Sequence, residues 1–236
     1  LLMNNNKFLI SVIMSVFNSK NTVRKAIESI ISQDFENLEF LILDDCSTDN
    51  TFDILQEYAK KDNRLRIFKN EENIGLTKSL NILIDNSKGT LIARQDADDI
   101  SIKNRLSKQV NQIRTKNLDF VTSRAIIKDT EKVIPRFSIY VPKKVVIKFK
   151  NPFIHGTLLI KKETIKSIGM YDERFLLSQD YKLFTDLIRS DYKYKVMKDK
   201  LYILNMENNI SQLKKVEQEY YADCVRKNKT PKTIVR

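Results

Sequence analysis

The sequence is short of the residues on which most metal and phosphate chemistry depends. It has four glycines, two cysteines and one histidine in 236 residues. Gly75, Gly89, Gly156 and Gly169 stand isolated from one another. They form neither G-x-G-x-x-G nor a P-loop, so the usual dinucleotide and Walker cradles are excluded. Cys46 and Cys224 lie far apart, which leaves no disulfide framework and no zinc spacing. A reducing, cytoplasmic setting is expected. With His155 as its only histidine, the chain has no H-E-x-x-H zinc motif. A Ser-His-Asp triad would have to use that residue, and no G-x-S-x-G elbow accompanies it. No apolar run approaches the length of about 18 residues that a membrane-spanning helix needs.

Hydrophobic residues make up 42% of the chain and charged ones 31%, which is the composition of a soluble globular protein with one sizeable core. The net charge of +12 invites a nucleic-acid partner. Lys and Arg are spread along the chain and interleaved with acids, so no nucleic acid is expected. The two remaining readings are a solvated basic surface and an anionic partner, either a membrane face or a phosphorylated ligand. The N-terminal "LLMNNNKFLISVIMSVF" lacks a small-residue cleavage site. It reads as a core strand rather than a secretion signal.

The first half of the chain alternates. "FLISVIMSVF" (Phe8–Phe17) and "LEFLILDD" (Leu38–Asp45) are continuous apolar runs, as expected of strands buried on both faces. "LRIFKN" and "TLIARQD" read as a third and a fourth strand. Between them, "TVRKAIESIISQ", "STDNTFDILQEYAKK" and "GLTKSLNILIDNSKG" read as helices. Ser47 and Thr48 would cap the second of these, and Gly89 would close the third. A further helix, "IKNRLSKQVNQIRTKN", follows. Strands alternating with helices predict a mostly parallel, doubly wound α/β sheet with helices on both faces. The second half is less regular. It offers a strand at "DFVTSRAIIKD", a short basic helix at "PKKVVIKFKNPF", an amphipathic helix at "SQDYKLFTDLIRSD" capped by Ser178, and a strand at "YKYKVMKD".

In such sheets ligands bind beyond the carboxyl ends of the strands. Two acidic clusters stand there: Asp44-Asp45 after the second strand and Asp96-Ala97-Asp98-Asp99 after the fourth. Three carboxylates in four residues repel one another. A divalent cation would offset that crowding, because Mg²⁺ and Mn²⁺ bind through one or two carboxylates and leave positions for water and phosphates. Alone, the D-x-D pattern is equally the mark of an acidic turn or helix cap.

Four segments, in order, resemble the family-2 glycosyltransferases of GT-A fold. They are "SVIMSVFN" (Ser11–Asn18), "LILDDCSTDNT" (Leu41–Thr51), "ARQDADD" (Ala93–Asp99) and "YDERFLLSQDYKLFTDLI" (Tyr171–Ile188). The resemblance implies roles at matching positions. Asp45 would bond the base of a sugar nucleotide, usually uracil. Asp96 would lie near ribose and the metal, and Asp98 would coordinate the divalent cation (Mn²⁺ or Mg²⁺) that bridges the diphosphate. Asp99 would support the site or touch the donor sugar. Asp180 would be the general base that deprotonates the acceptor hydroxyl, as inverting transfer requires. Asn73, Gly75 and Lys78 match a segment near the nucleotide, and His155 falls near the acceptor pocket.

Two departures stand out. Gln179 replaces the family's Glu before its base, and Leu204 and Met206 stand where relatives carry an Arg and a His on the diphosphate. The resemblance implies residues 1–100 as a nucleotide-sugar-binding half and 101–205 as an acceptor-binding half of the same domain. Residues 206–236 would be a basic, partly helical tail. The resemblance implies a UDP-sugar donor and a glycan or lipid-linked acceptor. The basic tail and the net charge of +12 suggest peripheral contact with the anionic inner face of a membrane. The rivals are a non-catalytic nucleotide-sugar-binding module and a nucleotidyltransferase. The second should carry a glycine-rich loop after its first strand, and "SVFNSKNTV" has no glycine. Simpler readings stand beside the implied roles: Asp44 and Asp45 as turn caps, Asp180 as a helix N-terminal carboxylate, and His155 as a satisfied, partly buried residue.

Overall fold

The computed structural model describes residues 8–207 and 214–232. Nine strands form one mixed, mostly parallel sheet. They are β1 (Ile10–Val16), β2 (Leu38–Asp44), β3 (Leu65–Lys69), β4 (Leu91–Arg94), β5 (Ile100–Ser101), β6 (Phe120–Ile127), β7 (Val133–Ile134), β8 (Leu159–Lys161) and β9 (Tyr194–Leu204). Their order is β3-β2-β1-β4-β8-β6-β9-β5, with β7 paired to β6. The helices are α1 (Val23–Ile31), α2 (Thr51–Ala59), α3 (Leu76–Asn86), α4 (Arg105–Lys116), α5 (Lys143–Val146), α6 (Lys162–Ser167), α7 (Gln179–Arg189) and α8 (Lys215–Arg226).

The apolar runs of β1 and β2 need two covered faces, and the fold supplies them. Val12, Met14, Phe40 and Ile42 pack on one face against Ile27 and Ile30 of α1 and Leu106 and Val110 of α4. Ile13, Leu41 and Leu43 pack on the other against Leu80 and Leu83 of α3 and Phe184 and Leu187 of α7. Side chains of a strand alternate between faces, so a continuous apolar run can fill two cores at once.

Parallel pairing holds β1 between β2 and β4, with Val16 opposite Asp44 and Ile13 opposite Arg94. The two acidic clusters therefore leave the same edge of the sheet, one on each side of β1. Two strand spacings separate them, about 10 Å. Beyond β4 the sheet turns antiparallel through β8. The described part of the C-terminal segment is packed rather than trailing: Tyr221, Cys224 and Val225 of α8 join the cluster that holds Phe175, Tyr181 and Phe184.

Several local expectations are corrected. Ser47 and Thr48 do not cap α2, whose first residue is Thr51. Instead Asn18 N–H donates to Ser47 Oγ at 2.9 Å, and Thr48 N–H donates to Asn18 Oδ1 at 2.8 Å. These bonds tie the loop after β1 to the loop after β2. Gly89 does not close α3, which ends at Asn86. It lies where a Cβ would sit 2.6 Å from the Leu9 carbonyl oxygen and from Ser11 Oγ, so close backbone approach is what demands glycine. Ser178 does not cap α7 through its side chain, because Ser178 Oγ donates across to the Gln218 carbonyl at 3.1 Å. The short strand β5, between the acidic cluster and α4, was not legible in the alternation.

Candidate active site

In the first acidic cluster Asp45 is answered by its own loops, while the buried Asp44 Oδ1 has no partner among the described residues. Asp45 is 3% exposed and accepts from Asn70 Nδ2 at 2.7 Å, Ile74 N–H at 3.0 Å and Gly75 N–H at 2.8 Å. Asp44 Oδ2 accepts from Ser47 N–H at 3.2 Å, which is the turn-capping role. A carboxylate offers about four lone-pair sites. Asp45 therefore keeps one for a donor outside the chain. Lys78 lies exposed in the first turn of α3, just beyond Gly75.

The second cluster is built differently. Gln95, fully buried, donates from Nε2 to the carbonyls of Asp96 and Asp99, each at 3.0 Å, and so staples the turn. Beneath it Arg105, also fully buried, donates to Ser101 Oγ at 2.7 Å and to the Arg94 carbonyl at 2.7 Å. Asp96 N–H donates to Tyr202 Oη at 3.1 Å. A Cβ at Gly156 would stand 2.4 Å from that hydroxyl, so only glycine leaves it room. Asp99 is buried, and its carboxyl accepts from Asn205 N–H at 2.7 Å. Burial, with Asp96 and Asp98 beside it, pushes the Asp99 carboxyl well above the carboxylate range.

Asp98 points outward. Its open side meets solvent, while packed atoms on the other side displace water. That desolvation and the neighbouring Asp96 carboxylate raise its carboxyl to about 6. Among the described residues, no group of three or more His, Cys, Asp and Glu is placed to hold a metal by itself. Asp98, with Asp96 beside it, fits the other arrangement, a divalent cation shared with substrate phosphates, and does not fit an all-protein cage.

Arg94 faces these carboxylates. Its side chain is 2% exposed, and its Nη2 donates to Asp96 Oδ1 at 2.5 Å. Its Nε and Nη1 are buried without a partner among the described residues. Leaving such donors unmade costs about 1–3 kcal/mol each. The ion pair with Asp96 and the field of Asp98 are what the guanidinium gains in return. The sequence reading missed Arg94, although a cation ending an otherwise apolar strand, "LIAR", is a visible signal.

His155 and Asp180 both feel the charge of Asp96. His155 Nε2 shares a 2.6 Å hydrogen bond with Tyr171 Oη. Burial, and then the Arg94 cation, lower the His155 imidazole to about 3, so it is neutral at physiological pH. Asp180 opens α7. Its Oδ2 accepts from Asn151 Nδ2 at 2.8 Å and its Oδ1 from Tyr181 N–H at 2.7 Å. Burial raises the Asp180 carboxyl above its ordinary value, and the Asp96 carboxylate adds to the rise. Asp180, Asp96, Arg94 and Tyr171 thus share one electrostatic environment. Asn151 and Tyr171 were not singled out in the sequence as site residues.

Comparison with known proteins follows this geometry. The sequence model described as Glycosyl transferase family 2 matches residues 11–181. An uncharacterized glycosyltransferase of Methanocaldococcus jannaschii is 31% identical over 223 residues, covering 89% of this chain and 76% of that protein. The Escherichia coli UDP-Glc:alpha-D-GlcNAc-diphosphoundecaprenol beta-1,3-glucosyltransferase WfaP is 28% identical over 189 residues, covering 78% of this chain and 72% of that one. Among solved structures, the mannosyltransferase PcManGT from Pyrobaculum calidifontis, in complex with GDP-Man and Mn²⁺, superposes with a TM-score of 0.74 at 18% identity, covering 95% of this chain and 66% of that chain. S. aureus TarS 1-349 in complex with UDP-GlcNAc gives 0.72 at 21% identity, covering 85% of this chain and 59% of that chain. At these identities the structural likeness speaks for the fold alone.

Proposed function

The chain belongs to glycosyl transferase family 2, and from that premise we propose that it is an inverting, cation-assisted transferase that moves a sugar from UDP to a hydroxyl. The acceptor is a glycan or a lipid-linked saccharide in cell-surface polysaccharide or lipo-oligosaccharide synthesis. Asp45 uses its remaining lone-pair site for an N–H of the base, with Lys78 near the nucleotide. Asp96 lies towards ribose. A divalent cation held by Asp98 and Asp96 would supply neutralisation of the leaving diphosphate. Asp99, pinned to Asn205 N–H, braces the turn.

The acceptor hydroxyl attacks the anomeric carbon from the face opposite the diphosphate. The new C–O bond forms as the bond to the diphosphate oxygen breaks, and the hydroxyl proton passes to Asp180. Asn151 and Tyr181 N–H fix the aim of that carboxylate. Neutral His155, bonded to Tyr171, faces the acceptor as a hydrogen-bonding group rather than as an acid. With a lipid-linked acceptor, the enzyme would work on the cytoplasmic face of a membrane, in peripheral contact with it. No described helix is long and apolar enough to cross one.

The observation that supports this reading is that Asp180 feels the charge of Asp96, although one lies in the first turn of α7 and the other follows β4. The rival, a nucleotide-sugar-binding module without chemistry, rests on Leu204 and Met206 in place of basic residues. Transfer assays with a panel of UDP-sugars and Mn²⁺, paired with UDP calorimetry, separate the two. Asp180→Asn should lose transfer by about a hundredfold to ten-thousandfold while UDP still binds. Wild-type protein that binds UDP but neither transfers nor hydrolyses any donor would instead establish the module.

A further inference from the structure

Five of the eight exposed large apolar side chains among the described residues lie in one stretch. Phe137 (73% exposed), Tyr140 (71%), Val145 (49%) and Phe149 (70%) all lie between β7 and β8, and Val141 joins them. The same stretch is basic. From Lys132 to Lys162 the sequence contains no Asp or Glu, while it carries Arg136, Lys143, Lys144, Lys148 and Lys150. Arg136 stacks over the Phe137 ring at 5.0 Å, and Lys198 of β9 lies over the Tyr140 ring at 5.4 Å. The one acid paired within the patch is Asp191, which meets Lys144.

The patch is held in shape rather than loosely exposed. Buried Lys143 donates from Nζ to the carbonyls of Ser138, Ile139 and Val141 at 2.5, 3.2 and 2.9 Å. Val146 and Ile147 turn inward, and Tyr181 Oη donates to the Ile147 carbonyl at 2.6 Å. Aromatic rings and valines face out, flanked by exposed lysines.

We propose that residues 136–150, with Lys198, form the surface by which the protein docks on an anionic lipid bilayer. Phe137, Tyr140 and Phe149 would enter the headgroup boundary, where rings with one apolar and one wet end are favoured. Lys148, Lys150 and Arg136 would meet the lipid phosphates, with their stems laid along the apolar surface. A soluble protein partner has less need of so uniform a positive rim, and a nucleic acid has no use for the aliphatic part. The inference rests on the proposed lipid-linked acceptor and places its entry. Phe149 lies two residues before Asn151, the residue that holds Asp180, so docking here brings the general base to the membrane surface. It also moves the expected membrane contact from the C-terminal tail, whose helix α8 is packed on the domain.

The test is flotation of the full chain with vesicles of phosphatidylcholine, alone or mixed with phosphatidylglycerol, at low and high salt. Wild-type protein should float with the anionic vesicles at low salt and be released at high salt. Phe137→Ser with Phe149→Ser, and separately Lys148→Glu with Lys150→Glu, should each weaken binding about tenfold or more. Both variants should keep wild-type melting temperatures and wild-type transfer to a water-soluble acceptor. Wild-type protein that stays out of the floated fraction, or variants that float as well as wild type, would overturn the proposal. So would sedimentation velocity showing that the patch variants merely split a dimer. Wild-type protein that floats but transfers no sugar leaves the docking surface standing and overturns the transferase reading instead.

Discussion

The two acidic clusters at the sheet edge make opposite use of the same residue. Asp45 is answered by three donors from its own chain, two of them backbone N–H groups. Asp96, Asp98 and Asp99 face one direct cation contact, from Arg94, and that arginine has unmade donors of its own. Asp45 is tied by its donors to the loop that follows β3 and keeps a single lone-pair site over. The second cluster is under-neutralised and gains from a cation and a polar substrate. Identical side chains are thus largely answered by the chain on one side of β1 and only partly on the other.

The sharpest way to break this contrast is to remove one carboxylate on each side. Asp98→Asn should cut transfer about a thousandfold, with no loss of stability, because the exposed carboxylate bonds only its own backbone N–H and is repelled by Asp96. Asp45→Ala should do the reverse of a pure site defect and strand three donors. Its cost is about 2–3 kcal/mol, and its melting temperature should fall by about 5–10 °C in a scanning calorimeter. Unfolding at the wild-type temperature would show that the loop does not depend on Asp45.

Smaller effects sharpen the same comparison. Mn²⁺ should raise the melting temperature of the wild-type protein by a few degrees and that of Asp98→Asn hardly at all, since ligands that bind only the folded state stabilise it. The pH profile of kcat should have an acid limb above the usual carboxylate range near pH 4. The sign follows from the base role: Asp180 acts when ionised, its carboxyl is raised by burial, and so activity falls away earlier as pH drops. A limb at the ordinary carboxylate value would remove Asp180 from its buried setting or from its role. The smallest signal is spectroscopic. His155 is the only histidine, so one imidazole resonance can be followed by NMR. It should stay neutral between pH 5 and 8, given its value of about 3. In Arg94→Met the titration should move upward, because a neighbouring cation is gone.

Much of the donor-side frame was legible. Continuous apolar runs with helices between them predicted parallel strands, and the structure has β1, β2, β3 and β4 in parallel register. Helix ends were less legible. Ser47, Thr48 and Ser178 look like caps by local preference, but tertiary partners claim their groups: Asn18 for the first two and the Gln218 carbonyl for the third. Gly89 reads as a helix stop and is instead a point where two backbones touch. In the stretch from 128 to 158 the short basic helix was legible, and α5 covers Lys143–Val146 of it, while the turns around it were not.

By itself, the sequence determined the mostly parallel α/β sheet, the segments that resemble family 2, and the placement of carboxylates where strands end. Those follow from periodicity and local order, which a chain carries along its length. Only the tertiary structure decided which carboxylates are already satisfied, and that Arg94 and Tyr202 converge on the acidic turn. It also decided that Asn151 aims Asp180 and that the aromatic and basic residues of 136–150 face outward together. Those facts depend on burial and on field strength, and both are set by neighbours that lie far apart in the chain.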